Sequence, residues 1–418
     1  MKFIVIGAGV IGVTTAFFLR LRGHEVAVID RREGPGRETS FANGALLTPS
    51  MPEPWNAPGS WRALLGSIGR SDAPLQLRLK AIPSLAGWGP RFLMNSRRPA
   101  FERNCVSNLK LALYSHEAME SVRKATSVDY SRRTTGTLKV FRNAAALYRA
   151  TAWADQLSGH GLTFRKLSRT DTVALEGALA PIAGQLAGSI HYEIDEIGDA
   201  CRFCTALTGQ LLQEGVEFRF STTVTSFEVS GGRVTAVLCG RERFSADSYV
   251  VAACSYSTPL LSPLGVYLPV RPAKGYSVTF DCLPGRRELR VPIVDDDCHA
   301  AVVPIGNALR VAGTAEFTGY DLTPSAARVE KLVRLLREIL PEGHYDPSSA
   351  RPWCGLRAMS VDGVPIIGRT SVSNVFVNTG HGHLGWTMAA GSGGLLVDVI
   401  LGASPAIDAA PYDPQRFA

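Results

Sequence analysis

Residues 2–30 set the strongest constraint on what this chain can fold into. Lys2-Phe-Ile-Val-Ile6 is a short apolar run suited to a strand buried on both faces. Gly7-Ala-Gly9-Val10-Ile11-Gly12 follows at once, 13–22 has the pattern of a helix, and 25–30 is a second apolar strand ending in Asp30. Each part has a mechanical task. Gly7 allows a tight turn, Gly9 lets backbone approach a pyrophosphate, and Gly12 lets the helix pack close to the strand. Val10 and Ile11 open the helix, whose free N–H groups and positive dipole end suit phosphates. Asp30 stands where a carboxylate can accept hydrogen bonds from a ribose. The whole order, not the glycines alone, points to dinucleotide binding.

Three later segments narrow the ligand and the chemistry. After Asp30 the chain runs through Arg31, Ser40, Asn43, Gly44 and Leu46, a polar, glycine-rich stretch that can reach a pyrophosphate and then a flavin ring. In the second half, a helix over 200–215 and strands over 216–220, 223–229, 233–238 and 248–254 read as a return to the nucleotide domain, with Gly231-Gly232 as a hairpin turn. Near the C-terminus stand Trp353-Cys354-Gly355-Leu356-Arg357, then Asp362-Gly363-Val364-Pro365, then Gly380-His381-Gly382-His383-Leu384-Gly385-Trp386-Thr387 before a helix over 388–401.

On these motifs nearly the whole chain resembles the D-amino-acid oxidase superfamily of flavoproteins, and within it the D-amino-acid dehydrogenases of the small-subunit type. The resemblance implies an α/β fold: a Rossmann-type FAD-binding domain interleaved with an α+β substrate domain holding a mainly antiparallel sheet. We expect 1–59, 151–254 and 346–418 in the first and 60–150 and 255–345 in the second. It also implies backbone contacts to adenine at Val224, and contacts to the flavin at Gly355 and over 382–387, where a helix N-terminus stabilises an anionic reduced ring. Arg357 matches the family's carboxylate-binding arginine, and its fork suits a planar carboxylate. Tyr276, on a strand over 276–280 beside Lys274-Gly275, is a second candidate donor to that carboxylate, with a packed strand tyrosine as the plainer reading. His383 borders the flavin and substrate by resemblance, while His299 and Glu316 are read as structural before functional.

The implied reaction is oxidative deamination of a D-amino acid to a 2-oxo acid and ammonia. A hydride leaves the α-carbon for flavin N5, and electrons pass to a quinone or other carrier. Arg357 would equally serve a D-proline or D-hydroxyproline dehydrogenase, or a glycine or sarcosine oxidase. A flavoprotein component that needs a partner for activity is a further reading.

Charge and cysteines bound the remainder. The net charge is +7, and 55–103 holds Arg62, Arg70, Arg78, Lys80, Arg91, Arg97, Arg98 and Arg103 against Asp72 and Glu102. Trp61, Trp88 and Phe92 lie among them, so the stretch suits either an anionic membrane surface or a solvated helical cap. No spacing suggests nucleic acid. We expect a cytoplasmic protein, peripheral on the inner membrane if the first reading holds. The eight cysteines are expected as reduced thiols, with Cys201 and Cys204 on a core-facing helix side. Non-covalent FAD is expected in preference to a flavin bonded at Cys354, and His381-x-His383 reads as glycine-flanked backbone rather than a metal site.

Overall fold

The computed structural model describes residues 1–60, 62, 66, 75–78, 81–284, 289–340 and 344–417. Alternate side chains of the first strand, Lys2–Ile6, enter two different cores. Phe3 and Val5 join one hydrophobic cluster, and Ile4 and Ile6 another on the opposite side. Glu25–Ile29 splits in the same way, which is why neither strand shows a polar face. These two strands sit in a six-stranded sheet, in the order Ile366–Arg369, Val375–Thr379, Ser248–Val251, Lys2–Ile6, Glu25–Ile29, Glu217–Arg219. All neighbours are parallel except the first pair. Helices Val10–Leu21, Ala200–Gln213 and Ala389–Leu401 cover one face, and the three-stranded meander over 226–244 covers the other. Gly231 and Gly232 both take positive φ, 58° and 74°, as the hairpin turn requires.

The second sheet has nine strands, eight of them in the order Arg351–Ser360, Val270–Asp281, Ala308–Phe317, Ala300–Ile305, Ile293–Asp295, Thr137–Phe141, Gly188–Tyr192, Arg165–Leu167. Leu75–Leu77 pairs beside Ala308–Phe317. Val278 and Phe280 face the amphipathic helix Ala326–Ile339 through Leu332, Leu335, Leu336 and Ile339. Ser277 and Thr279, one residue out of phase, face the nucleotide domain. The Ser277 hydroxyl donates to the Ala42 carbonyl at 2.6 Å, and Thr279 accepts from Arg310 at 3.0 Å.

The sheets divide the chain at other places than the sequence suggested. Strands between 165 and 192 and the strand Arg351–Ser360 lie in the nine-stranded sheet, not with the nucleotide unit. Helix Arg98–Ala125 packs instead on the nucleotide side, where the Ser115 hydroxyl accepts from the Gly391 N–H at 3.0 Å. Pairing decides this: Gly188–Tyr192 pairs antiparallel with Thr137–Phe141, a partner that periodicity along one segment cannot reveal.

In the basic stretch, Trp61, Leu64, Leu65, Ile68, Arg70, Asp72, Leu79 and Lys80 lie outside the described residues. Trp88 and Phe92 are buried at 3% exposure each and stack on one another, so they are core and not an inserting face. Leu93 and Met94 are the exposed apolar residues of that helix. Cys204 is fully buried and Cys201 partly so, both against Gly36, and none of the eight cysteines is in a disulfide.

Candidate functional site

Two glycines of the nucleotide end, Gly7 and Gly12, leave no room for a side chain. A Cβ on Gly7, whose φ is 111°, would lie 2.6 Å from the Ala252 carbonyl oxygen. A Cβ on Gly12 would lie 1.8 Å from the Gly7 oxygen. Gly9 differs, since its Cβ would meet only the Ser40 hydroxyl at 3.4 Å. Packing does not demand glycine there, and a side chain would fill the space before helix Val10–Leu21. That open cradle fits a pyrophosphate approaching the helix N-terminus, where no acidic residue stands in the first turn. The Val10 N–H donates to the buried Ser40 hydroxyl at 3.2 Å; Ile11 follows it in the same turn.

Asp30 holds this turn from the next strand. Its carboxylate accepts from the Ala8 N–H at 2.6 Å and the Arg32 N–H at 2.8 Å. Burial pushes its pKa above the usual value, against those two hydrogen bonds. Arg31 lies 3.8 Å over the Tyr256 ring and pairs with Glu38 at 2.6 Å. The Thr222 N–H donates to the Asp30 carbonyl at 2.9 Å, which carries the segment leading to the half-buried Val224 past the same strand end.

Arg357 marks where the cofactor-side segments converge. Its two chain neighbours offer their carbonyls to them. Leu356 accepts from the Thr39 hydroxyl at 2.7 Å, and Ala358 accepts from the Gly382 N–H at 2.7 Å. The loop between Thr39 and Leu46 is tied down from several sides. Asn43 Oδ1 accepts from the Ala45 N–H at 3.0 Å, the Asn43 carbonyl accepts from Arg310 at 3.1 Å, and Gly44 approaches Ala312 with 3.8 Å between that Cβ and the one it lacks. Leu46–Leu47 then pairs with Glu196–Ile197, and the Thr48 N–H donates to Thr387 at 3.0 Å.

The turn at 380–388 contributes backbone more than side chains. Gly382 has a φ of 57°. Leu384 and Trp386 are each 3% exposed, and the Trp386 indole donates to the Gly198 carbonyl at 2.9 Å and packs on Phe203. Trp386 is therefore core, and only its backbone can meet a cofactor. Gly385 is half-buried beside it. His381 turns away to Ser392 at 2.9 Å, and burial lowers its pKa to about 3. His383 goes elsewhere, so the two imidazoles do not share a ligand.

His383 stacks on Trp55 with ring centres 5.7 Å apart, and Trp55 lies 5.1 Å from the Arg357 guanidinium carbon. Surrounding protein and then the Arg357 charge lower the His383 pKa to about 4, against a hydrogen bond with the Met51 backbone, so the ring is neutral near pH 7. Burial lowers the Arg357 pKa to about 10, which leaves it a cation. Its guanidinium rests on Gly275, where a Cβ would come within 2.7 Å. Gly355 does the same for the Trp353 ring, at 2.2 Å. Among the described residues Arg357 has neither an ion-pair partner nor a side-chain hydrogen bond, and a half-buried cation without a counter-ion is a place for an anion.

The structure does not bring Tyr276 to Arg357. Val270–Asp281 alternates, and Tyr276 shares the far face with Val278 and Phe280, against helix Ala326–Ile339. Its hydroxyl is bonded to Glu316, which is fully buried and also meets Arg78 at 2.9 Å and Lys274 at 3.2 Å. Burial would raise the Glu316 pKa, but the hydrogen bonds from Tyr276 and Arg78 and the Lys274 charge outweigh it and hold the group ionised. Cys354 lies on that far face as well, with its thiol 2.9 Å from the Leu322 carbonyl. His299 is exposed in the turn before Ala300–Ile305, with a φ of 50°. Trp55 and Met51 were not legible as site residues, because no motif surrounds them; Trp353 opens the motif that ends in Arg357, but nothing in that motif gave it a role.

Comparison with known proteins shows the family and the fold. A family profile described as FAD dependent oxidoreductase matches residues 2–399. The chain is 41% identical to a D-amino acid dehydrogenase of Paramagnetospirillum magneticum, across 100% of this chain and 99% of that protein. It is 40% identical to one of Allorhizobium ampelinum, over 100% and 99%. The crystal structure of glycine oxidase from Geobacillus kaustophilus superposes with a TM-score of 0.77 at 22% identity, over 99% of each chain, and shows the shared fold.

Proposed function

The chain belongs to the family of FAD-dependent oxidoreductases, and from that premise we propose that it dehydrogenates D-amino acids, with Arg357 holding the substrate carboxylate. One observation carries the reading: Arg357, whose two chain neighbours anchor the cofactor-side segments by their carbonyls, has a half-buried guanidinium with no ion-pair partner among the described residues. The relatives named D-amino acid dehydrogenase at 41% and 40% identity support the substrate class.

FAD, when bound, supplies the two-electron acceptor. Gly7, Gly9 and Gly12 with Ser40 would hold its pyrophosphate, Asp30 its ribose, Val224 its adenine edge, and the backbone at 44–46 and 382–387 its ring. Arg357 fixes the amino acid by two parallel hydrogen bonds, which sets the direction of its α-carbon. His383, neutral near pH 7, adds no charge that would repel an amine. The substrate loses a hydride from Cα and a proton from nitrogen to water. The resulting imine hydrolyses to a 2-oxo acid and ammonia.

The acceptor in this reading is a quinone or another carrier. Exposed Leu93 and Met94 beside Arg91, Arg97, Arg98 and Arg103 offer a basic, partly apolar surface to an anionic bilayer, and no helix among the described residues is long and apolar enough to cross one. A panel of D- and L-amino acids with a dye acceptor tests the activity. Turnover of D-isomers with release of 2-oxo acid is the expected result, and an FAD-loaded protein inert toward every D-amino acid overturns it. Sedimentation with anionic vesicles at low and high salt, beside assays with quinone and with oxygen, tests the acceptor.

A further inference from the structure

The segment that brings Met51 and Trp55 to the Arg357 corner has no regular structure of its own. Residues 48–55 read Thr-Pro-Ser-Met-Pro-Glu-Pro-Trp, and the prolines at 49, 52 and 54 have no N–H to give to a helix or a sheet. Side chains from distant parts of the chain fix this strap instead. Thr387 accepts from the Thr48 N–H at 3.0 Å, Asn108 donates to the Pro52 carbonyl at 2.9 Å, and the Trp153 indole donates to the Glu53 carboxylate at 2.9 Å. Between these points stands Ser50. Its N–H, at 3.2 Å, and its hydroxyl, at 2.5 Å, both donate to Asp195.

Asp195 is an unusual anchor. It lies in the turn between strands Gly188–Tyr192 and Glu196–Ile197, it is fully buried, and no cation pairs with it among the described residues. A carboxylate is almost never enclosed in this way unless hydrogen bonds hold it. Its third donor is the Thr137 hydroxyl at 2.5 Å, at the start of strand Thr137–Phe141 in the nine-stranded sheet. One carboxylate thus ties the strap to that sheet.

What Ser50 fixes is the residue after it, and through that residue the site. The Met51 backbone is hydrogen-bonded to His383. His383 stacks on Trp55, at the far end of the same strap, and Trp55 lies 5.1 Å from the Arg357 guanidinium carbon. Trp55 and His383 keep accessible surface and Arg357 is half-buried, so a ligand can reach this corner, whereas Asp195 stays behind it in the interior.

We propose that Asp195 is a positioning residue for the substrate site: by holding Ser50 it sets where Met51 meets His383, and so where the pair of stacked rings stands beside Arg357. This rests on the reading of Arg357 given above. Asp195 touches no substrate and acts through His383 and Trp55, so its loss costs substrate binding before it costs flavin binding.

The test measures benzoate, a carboxylate that carries no amine, by equilibrium dialysis against the FAD-loaded protein, beside steady-state turnover of amino acids. Asp195→Ala should raise the benzoate Kd and the amino-acid KM by roughly tenfold, with kcat changed less and FAD retained. Ser50→Ala removes one of the two bonds at Ser50. It should move the same constants in the same direction by a smaller factor, and it serves as the test if Asp195→Ala does not fold. Asp195→Asn keeps an acceptor for the Ser50 N–H and should stay near the wild type. A merely structural role predicts additivity, so the cycle with His383→Ala separates the two. In the His383→Ala background, Asp195→Ala or Ser50→Ala should change the benzoate Kd by less than roughly twofold. An unchanged Kd in the single variant, loss of FAD in place of benzoate, or a full effect that persists without His383 would overturn the proposal. If the wild type binds neither benzoate nor any amino acid, the carboxylate reading of Arg357 falls and this proposal with it.

Discussion

The glycine turn at 7–12 and the surroundings of Arg357 solve different problems. In the turn, every essential contact lies within residues 2–40 or against the neighbouring strand end at Ala252. The backbone itself is the working part, and side chains matter mainly by being absent. Around Arg357 the working parts are the side chains of Trp55 and His383 and the space left by Gly275, which come from distant parts of the chain. A local device tolerates almost no substitution at its glycines, whereas a distributed one should lose function residue by residue while the fold survives.

Gly12→Val should break the local device outright. The added carbons would overlap the Gly7 oxygen, already 1.8 Å from the first of them, and backbone cannot yield there. No FAD-loaded protein is expected, as absorbance of the purified chain would show. A yellow, stable Gly12→Val protein would erase the contrast.

Arg357→Leu should do the opposite, keeping the flavin and losing the substrate. Removing the clamp should cost about 2–5 kcal/mol in kcat/KM for amino acids, with the visible spectrum unchanged. Unaltered kcat/KM would place the carboxylate elsewhere and deprive the distributed site of its centre.

Asp30→Ala sharpens the local side. The carboxylate organises Ala8 and Arg32 and is proposed to hold the ribose, so its loss should weaken FAD retention by about 1–3 kcal/mol without unfolding the chain. Retention after gel filtration, compared with the wild type, reads this directly.

The smallest effect concerns pH. His381 has a folded pKa of about 3, below the value near 6.5 of an unfolded histidine. The unfolded chain therefore takes the proton first, so this part of stability is present above about pH 6.5 and is lost as pH falls toward 3. His381→Asn should lose less stability than the wild type between pH 7 and 5, by roughly 1–2 kcal/mol, in denaturant titrations. Parallel slopes would mean that the ring is not held neutral.

The sequence made the local device legible down to single residues, since strand, glycine, helix and acid follow one another in order. It also identified Arg357, because a motif surrounds it. It did not separate Tyr276 from the site. Alternation along Val270–Asp281 says that Tyr276 and Gly275 take opposite faces, but not which face meets the cofactor loop. Trp88 and Phe92 show the same gap, as aromatic and basic periodicity suits a membrane face and a core equally until the partner, Phe317, is known.

What the amino-acid order determined by itself was the nucleotide unit and the type of most elements, set by contacts between near neighbours, while Arg357 became a candidate through the family resemblance of its motif. Only the tertiary structure decided which face of each strand met the cofactor-side loop, where the sheets divided the chain, and that Trp55 and His383 stand beside Arg357. Those choices depend on pairing between distant segments and on one extra residue at position 314, which reverses the side taken by everything beyond it. A change of one in register has no signature in composition or periodicity, yet it exchanges one face of a strand for the other.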